Sequence, residues 1–586
     1  METKSGIVLR SIFAILASFI FGVGRVVYAD NSIAGMWQKP GEFLLIFACT
    51  GILFYLALLV MELVLDSTKQ DDELPESDMS GGSDTEAENV MPDKAGLAST
   101  VKKNIVSITE HKYFLPSIML ILAVLYGICY LTYFPGIFGY DIDQQTWQIT
   151  GSVPWNNHHP VLHTLIWKAF YDLEKVTGVR YIALVSYSVV QMAVVLFTTW
   201  GVLRFVQKQN RPVLTVLASL YYICMPTLAI FSMITTKDVY FACVLTWLMI
   251  TIFSFPYEEI KAEEARKIAS GGIIALAYLA CMLRNNMVYA LVFAIVLYLL
   301  TKQYKRLITG LVIAVVLAMT TMNLLYPALG IAPSETHEAL SVPIQQIGRA
   351  FYVNDVDMAA RDAKQTKLAA GERKPLTPEQ EVLVREYIPD IELYNPRNAD
   401  KLKTFFNDER YRENKGEFWK LYLEIGLSHP LEYVDAFLTL HVNYWYILAE
   451  PVDPISKRVY IETDGIYMPE YPVEKALLLP NLFSFYKNIA DFNTANMVRP
   501  VIHLLFAIST PFVVLFLIVY DVIRRKRKEG VLILAPYLGL YLTYLLGPLS
   551  NFRYVYPFFL AMPLLITAGF GTAENVNERN TLEQQI

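Results

Sequence analysis

The sequence is poor in charge. Only 18% of its 586 residues are Asp, Glu, Lys or Arg, where a soluble chain carries roughly 25%. The charge it has is balanced: 49 basic against 55 acidic side chains leave a net −6. No basic surface is left to hold nucleic acid. Cysteine is scarce as well. Cys49, Cys129, Cys224, Cys243 and Cys281 all fall in or beside apolar stretches, which excludes a disulfide framework or a cysteine metal site in the loops. There is no Asn-x-Ser/Thr sequon, Walker loop, Rossmann glycine pattern or Gly-x-Ser-x-Gly elbow. Nothing therefore points to a cytosolic nucleotide as the driver of any chemistry.

What fills the chain is hydrophobic. Apolar residues make up 54% of it, gathered in blocks about as long as a bilayer is thick. A helix crosses the hydrocarbon core with about 20 such residues. The blocks are 7–28, 42–65, 113–134, 179–206, 211–232, 238–256, 267–283, 286–301, 304–326, 499–523, 531–548 and 552–571. They predict an all-α polytopic membrane protein of about 12 transmembrane helices. The first block is too long for a cleaved signal peptide, and no cleavage site follows it.

Lysine and arginine set the orientation. Arg-Arg-Lys-Arg-Lys at 524–528, Arg204/Lys208/Arg211, Lys302/Lys305/Arg306 and Lys261/Arg266/Lys267 all go to the cytoplasm without conflict. Both termini then lie inside. Residues 135–178, the tight turns near Thr236, Arg284 and Asn551, and a long loop at 327–498 face outward.

This divides the chain. Residues 1–65 read as an added pair of N-terminal helices. Residues 66–112 read as an acidic, disordered cytoplasmic linker, with ten acidic residues and two lysines in 66–100. A membrane module follows at 113–326, with its outer loop at 135–178. Residues 327–498, rich in aromatics and helically patterned at 413–428, predict a mainly helical extracellular domain. C-terminal helices occupy 499–571 and a cytoplasmic tail 572–586.

Polar residues at the membrane boundary are costly and mark function. They gather on the outer side. Asp141 and Asp143 follow a span that ends at Pro135, with Gln145 and Trp147 just after. A carboxylate here suits a general base or a divalent cation, and equally a helix N-cap. His158, His159 and His163 surround Pro160, which suits the first turn of a helix. Val161, Leu162, Leu165, Ile166 and Phe170 then form an apolar stripe, the pattern of an interfacial helix. His159 and His163 have the spacing of a zinc pair, but the Glu of His-Glu-x-x-His is missing. The histidines, with Trp147 or Trp155, read better as site lining. Lys237 and Asp238 sit at an outer turn, either as a local ion pair or as a phosphate contact with a carboxylate that orients it or helps bind metal. Arg284, Asn285 and Asn286 break the run 268–301 into two short helices, and Arg284 at their tip suits bidentate phosphate binding. Arg553 and Tyr554 open the last span, as interface anchor or phosphate contact. Gln345, Gln346 and Arg349 are polar on an otherwise apolar helix.

In order and context these motifs resemble those of the GT-C glycosyltransferases, polytopic enzymes that use lipid-linked sugars. The similarity is strongest to an uncharacterised Gram-positive branch. The pattern here is Pro135, Gly136, Asp141, Gln145, His158, His159, Pro160, His163 and Thr164, then Pro343 to Gln346, then Arg553 to Pro557, over roughly 113–571. The resemblance implies a GT-C-like fold and, in most members, an inverting transfer. The donor is a polyprenyl-phosphate sugar, the acceptor an envelope glycan, and the site faces outward from a bacterial plasma membrane. Asp141 becomes the base, with Asp143 second. Arg284, Lys237, Arg349 and Arg553 become phosphate contacts. No cofactor is certain; some members use a divalent ion (Mg or Mn), for which Asp141, Asp143 and Asp238 are the carboxylates. Other partners are membrane lipids and no nucleic acid. The rival readings are a transporter or flippase of a lipid-linked envelope precursor, and a non-enzymatic assembly scaffold. Transport predicts mid-membrane polar residues and two related halves, and the sequence has neither.

Overall fold

The apolar blocks fall mainly on helices, because a backbone in lipid must satisfy its own hydrogen bonds. The computed structural model describes residues 4–70, 103–139, 141–254, 263–301, 304–354, 375–449, 471, 477–490, 507–527 and 530–571. Among these no β-strand forms, and three isolated backbone bridges are the only extended pairings. The protein is an all-α membrane protein. Six of its helices are long and apolar enough to cross a membrane: Lys4–Asp30, Pro40–Asp66, Phe114–Thr132, Ile182–Gln207, Lys237–Ser254 and Lys305–Ala328. Phe552–Leu560 and Met562–Gly569 form a bent pair at 55° that passes the same test together.

The elements that position the site are α1 (Lys4–Asp30), α2 (Pro40–Gln70), α3 (Phe114–Thr132), α4 (Ile142–Thr150), α5 (Val161–Thr177), α6 (Ile182–Gln207), α7 (Lys237–Ser254), α8 (Glu263–Leu283) and α9 (Met287–Thr301). Four follow later in the chain: α10 (Pro430–Trp445), α11 (Thr510–Arg525), α12 (Gly530–Tyr544) and α13 (Phe552–Leu560). Helix α7 is the hub, packed against α6, α8 and α13. Helices α9 and α12 lie closest together. A Cβ on Gly539 would stand 2.6 Å from the Ala290 carbonyl oxygen, so only glycine permits that approach.

The long loop has its own core. Ile344, Ile347, Val384, Tyr387, Leu402, Phe418 and Ile425 bury one another, and the helix expected at 413–428 runs Lys415–Ser428. This domain is helical in its described parts; residues 355–374, 450–470, 472–476 and 491–506 lie outside them, as do most of the acidic linker and the tail.

Two expectations change. Residues 1–65 are no loose addition. Helix α1 packs against α10 and α11, and the turn after it is built into the outer domain. The Arg349 guanidinium donates to the Asn31 carbonyl at 3.0 Å, and Arg397 donates to that of Tyr28 at 2.6 Å. The Ile33 N–H donates to Asp435 at 2.8 Å. The linker is also shorter than expected. Helix α2 runs on to Gln70, and residues 103–110 are helical, tied by Gln207 donating to the Thr109 carbonyl at 2.7 Å.

Candidate active site

Three backbone bridges draw four distant loops together. Ile137 pairs with Ile234: the Ile137 N–H donates to the Met233 carbonyl at 3.2 Å, and Thr235 donates back to Ile137 at 3.0 Å. Gly136 makes the turn into this bridge with φ of 136°, a region open to glycine. The pairing sets Asp141 beside Lys237. Asn156 pairs with Ala332, which joins the histidine loop to the start of the outer domain. Asn398 pairs with Leu549, which joins the outer domain to the turn before α13. There the Asn551 side chain caps the helix by accepting the Arg553 N–H at 3.0 Å.

Asp141 stands where these loops meet. It occupies the N-cap position of α4, but its side chain makes no capping bond. Its carboxylate is spent on cations instead. Arg553 Nη1 lies 3.0 and 2.9 Å from its two oxygens, and Lys237 Nζ donates to Oδ2. His159 Nδ1 is 3.5 Å from Oδ2 and 3.3 Å from Lys237 Nζ. Burial pushes the Asp141 carboxyl up, but Arg553 and Lys237 override it and hold it well below the usual range. Burial and the charge of Asp141 push its neighbour Asp143 up to about 6, against a hydrogen bond from the Gln144 N–H. The two carboxylates thus sit in different environments, Asp141 held down by the cations and Asp143 pushed up by burial and its neighbour.

Lys237 and Asp238 do not pair with each other. Asp238 is buried and accepts from Arg284 Nη1 at 2.6 Å. The Arg284 guanidinium lies 5.1 Å from the Tyr544 ring and 5.0 Å from that of Tyr554. Arg553 covers the same Tyr554 ring at 4.9 Å. Both arginines thus lie near the Tyr554 ring, and Arg284 sits at the break between α8 and α9 as a buried site residue instead of a plain turn. Asn285 donates to the Asn157 carbonyl at 2.9 Å.

The histidines divide. His163 Nδ1 lies 2.8 Å from Gln145 Oε1, and its Nε2 lies 2.7 Å from the Tyr187 hydroxyl. Both nitrogens are committed, so His159 and His163 are not a zinc pair. Burial pushes His163 down to about 3 and His159 well below the usual imidazole range, which keeps both rings neutral. His158 faces the outer domain, 3.7 Å from Glu338 Oε1. Trp147 and Trp167 pack in the cluster of Phe138, Ile142 and Tyr187.

The expected stripe of α5 is rotated. Its buried face is Val161, His163, Thr164 and Trp167, while Leu165 is 49% exposed. The helix spends its inner face on the site and leaves Leu165, Leu173 and Val176 open, as a helix in the membrane interface does.

Gln345, Gln346 and Arg349 fall elsewhere. Gln345 donates to the Asn395 carbonyl at 2.6 Å, Gln346 to that of Tyr433 at 3.1 Å, and Arg349 lies 3.6 Å from Asp435. They hold the outer domain together and join it to α1. Asp141 and Asp238 are each matched with cations, and among the described residues neither they nor Asp143 belong to a group of three ligands within reach of one ion. Lys403, Glu338 and Tyr544 also border the site, and no pattern in the sequence distinguishes them.

A family model described as a family of unknown function, DUF6020, matches residues 147–583. The chain belongs to this family. The match begins after Asp141, Asp143 and Gln145 and takes in His158 to Arg553, the outer domain and the C-terminal helices. No curated protein and no solved structure matches the chain. The family thus supplies no activity, and the chemistry must be argued from the site.

Proposed function

We propose that the chain is a GT-C-type glycosyltransferase of a bacterial plasma membrane, crossing it twelve times. It transfers a sugar from polyprenyl phosphate to an envelope glycan on the outer face. Besides the six long helices and the bent pair, the shorter apolar helices Pro212–Ile223, Ser270–Leu283, Met287–Thr301 and Gly530–Tyr544 and α11 supply the remaining crossings.

The observation that carries this reading is the convergence of Lys237 and Arg553 on Asp141 at the ends of apolar helices, beside α5 with its exposed apolar side chains Leu165, Leu173 and Val176. A lipid phosphate arriving along that surface meets the two cations, with Arg284 behind them. It competes with Asp141 for them and so frees the carboxylate. Asp141 then takes the proton from the acceptor hydroxyl. The acceptor oxygen attacks the anomeric carbon as its bond to the phosphate oxygen breaks. The electron pair leaves on the phosphate, where Lys237 and Arg553 stabilise it. A single displacement of this kind inverts the anomeric centre. Asp143 stands next in line as a base, and Trp147 and His159 border the space for the sugar.

The test is transfer from a polyprenyl-phosphate sugar by the purified protein in proteoliposomes. The reading expects turnover by the wild type and none above background with Asp141→Asn. Full activity in that variant makes the choice of base wrong.

A further inference from the structure

A second polar cluster lies in the outer domain and uses none of the residues above except at its edge. The short turn Thr336–Leu340 carries His337 and Glu338, with Glu335 just before it. Asp408 comes from the start of the helix Asp408–Glu413. The His337 ring is engaged at both nitrogens. Nδ1 is hydrogen-bonded to Asp408 Oδ2, and Asp408 Oδ1 accepts the His337 backbone N–H at 3.1 Å. On the other side, Nε2 faces Glu335 Oε2 at 3.2 Å and Glu338 Oε1 at 3.3 Å. One ligand atom each of Glu335, His337 and Asp408 fits within 4.8 Å of the others.

This is the layout of a carboxylate–histidine–metal relay. A carboxylate on Nδ1 fixes the tautomer and turns the Nε2 lone pair outward, and metal-ligating histidines are held this way. Carboxylate oxygens on both sides of the ring call for a positive charge at Nε2, supplied by a proton on the imidazole or by a metal ion in its place. Lys403 donates to Glu338 Oε2 and stands 3.4 Å from Asp400, while the His337 ring faces Glu335, Glu338 and Asp408. Access is open on one side only. The Glu335 side chain is 67% exposed, while that of His337 is 9%.

We propose that Glu335 and His337, with Asp408 on the far side of the imidazole, bind a divalent transition-metal ion, and that Glu338, 3.3 Å from Nε2, closes on it. A mixed imidazole and carboxylate set favours Zn2+ or Mn2+ over Mg2+ and Ca2+. The ion would join the turn to α5's loop, because Glu338 also reaches His158 and Lys403. It would act as a clasp holding the outer domain over the Asp141 site. The proposal does not depend on the transferase reading.

The test uses the full-length protein in detergent, stripped with chelator and titrated with Mn2+, Zn2+ or Co2+. The expected result is one saturable site per chain, with a Co2+ visible spectrum that shows nitrogen ligation. Glu335→Gln alters an exposed side chain and spares the fold; it should weaken binding at least about tenfold. Asp408→Asn should weaken it by about 10–100-fold, the usual cost of losing the group that orients a ligand. Asp141→Asn should leave binding unchanged. No saturable binding up to millimolar metal overturns the proposal. So does unchanged affinity in Glu335→Gln, or an equal loss in Asp141→Asn, which would move the ion to the other site.

Discussion

The Arg10–Glu62 pair and the Asp141 group both bury opposite charges between helices, and they differ in how far each is closed. Arg10 forms a fork with Glu62, Nε to Oε1 at 3.0 Å and Nη2 to Oε2 at 2.5 Å. Its Nη1 donates to Tyr55 at 3.2 Å, and Tyr520 donates to the same carboxylate. Three helices, α1, α2 and α11, are thereby pinned with every charge matched. In the Asp141 group Lys237, Arg553 and His159 all converge on one carboxylate. Its rim holds buried oxygens of Asn157 and Asn285 and the Tyr240 hydroxyl without a hydrogen-bond partner. Such groups are costly unless something fills them. The pair between helices holds them together; the proposed function makes the group at Asp141 the place where a ligand binds.

Mutations can break this contrast, the strongest first. Asp141→Asn should cut transfer by about 10²–10⁴-fold, the range for a lost general base, with thermal unfolding close to wild type. Glu62→Leu should do the opposite. It strands Arg10 and should cost about 3–5 kcal/mol of stability, read by chemical unfolding in detergent, while activity per folded molecule stays unchanged. The double variant Arg10→Met/Glu62→Leu should recover most of that loss. Arg284→Lys keeps the charge but loses the planar contact with Tyr544 and Tyr554. It should raise the donor KM by about tenfold. The smallest effect concerns pH. Asp143, raised to about 6, is protonated below that value and ionised above it. If it assists the base, transfer falls as pH drops through about 6, and Asp143→Asn flattens that acid limb without removing activity at pH 8.

Much of the fold was readable because lipid leaves the backbone few choices. Hydropathy and the break at Arg284 marked where helices begin and end, but the bend at Ala561 that divides the block 552–571 was not marked. Charge at the boundary flagged Asp141, Lys237, Asp238, Arg284 and Arg553, since each is expensive there whatever it contacts. Partnership was not readable. Lys237 passes over its neighbour Asp238 for Asp141, 96 residues away, and Arg553 reaches the same group across 412. Those choices are set by how α7 and α13 pack and by the bridge at Ile137. Gln345, Gln346 and Arg349 show the other side of this. A polar side chain on an amphipathic helix looks the same in sequence whether it faces a ligand or the Asn395 and Asn31 carbonyls. The N-terminal helices were misjudged for a related reason, since the bonds from Arg349, Arg397 and Asp435 that fix them come from a domain hundreds of residues later.

The central claim is that the open cation pair receives a lipid-linked sugar phosphate. Mass spectrometry of lipids co-purifying with the wild type, Asp141→Asn and the double variant Lys237→Gln/Arg553→Gln tests it most directly. The account predicts a polyprenyl-phosphate sugar on the wild type, more of it on Asp141→Asn, where donor accumulates unspent, and none on the double variant. Bulk phospholipid alone on all three, or equal donor on the double variant, would contradict it.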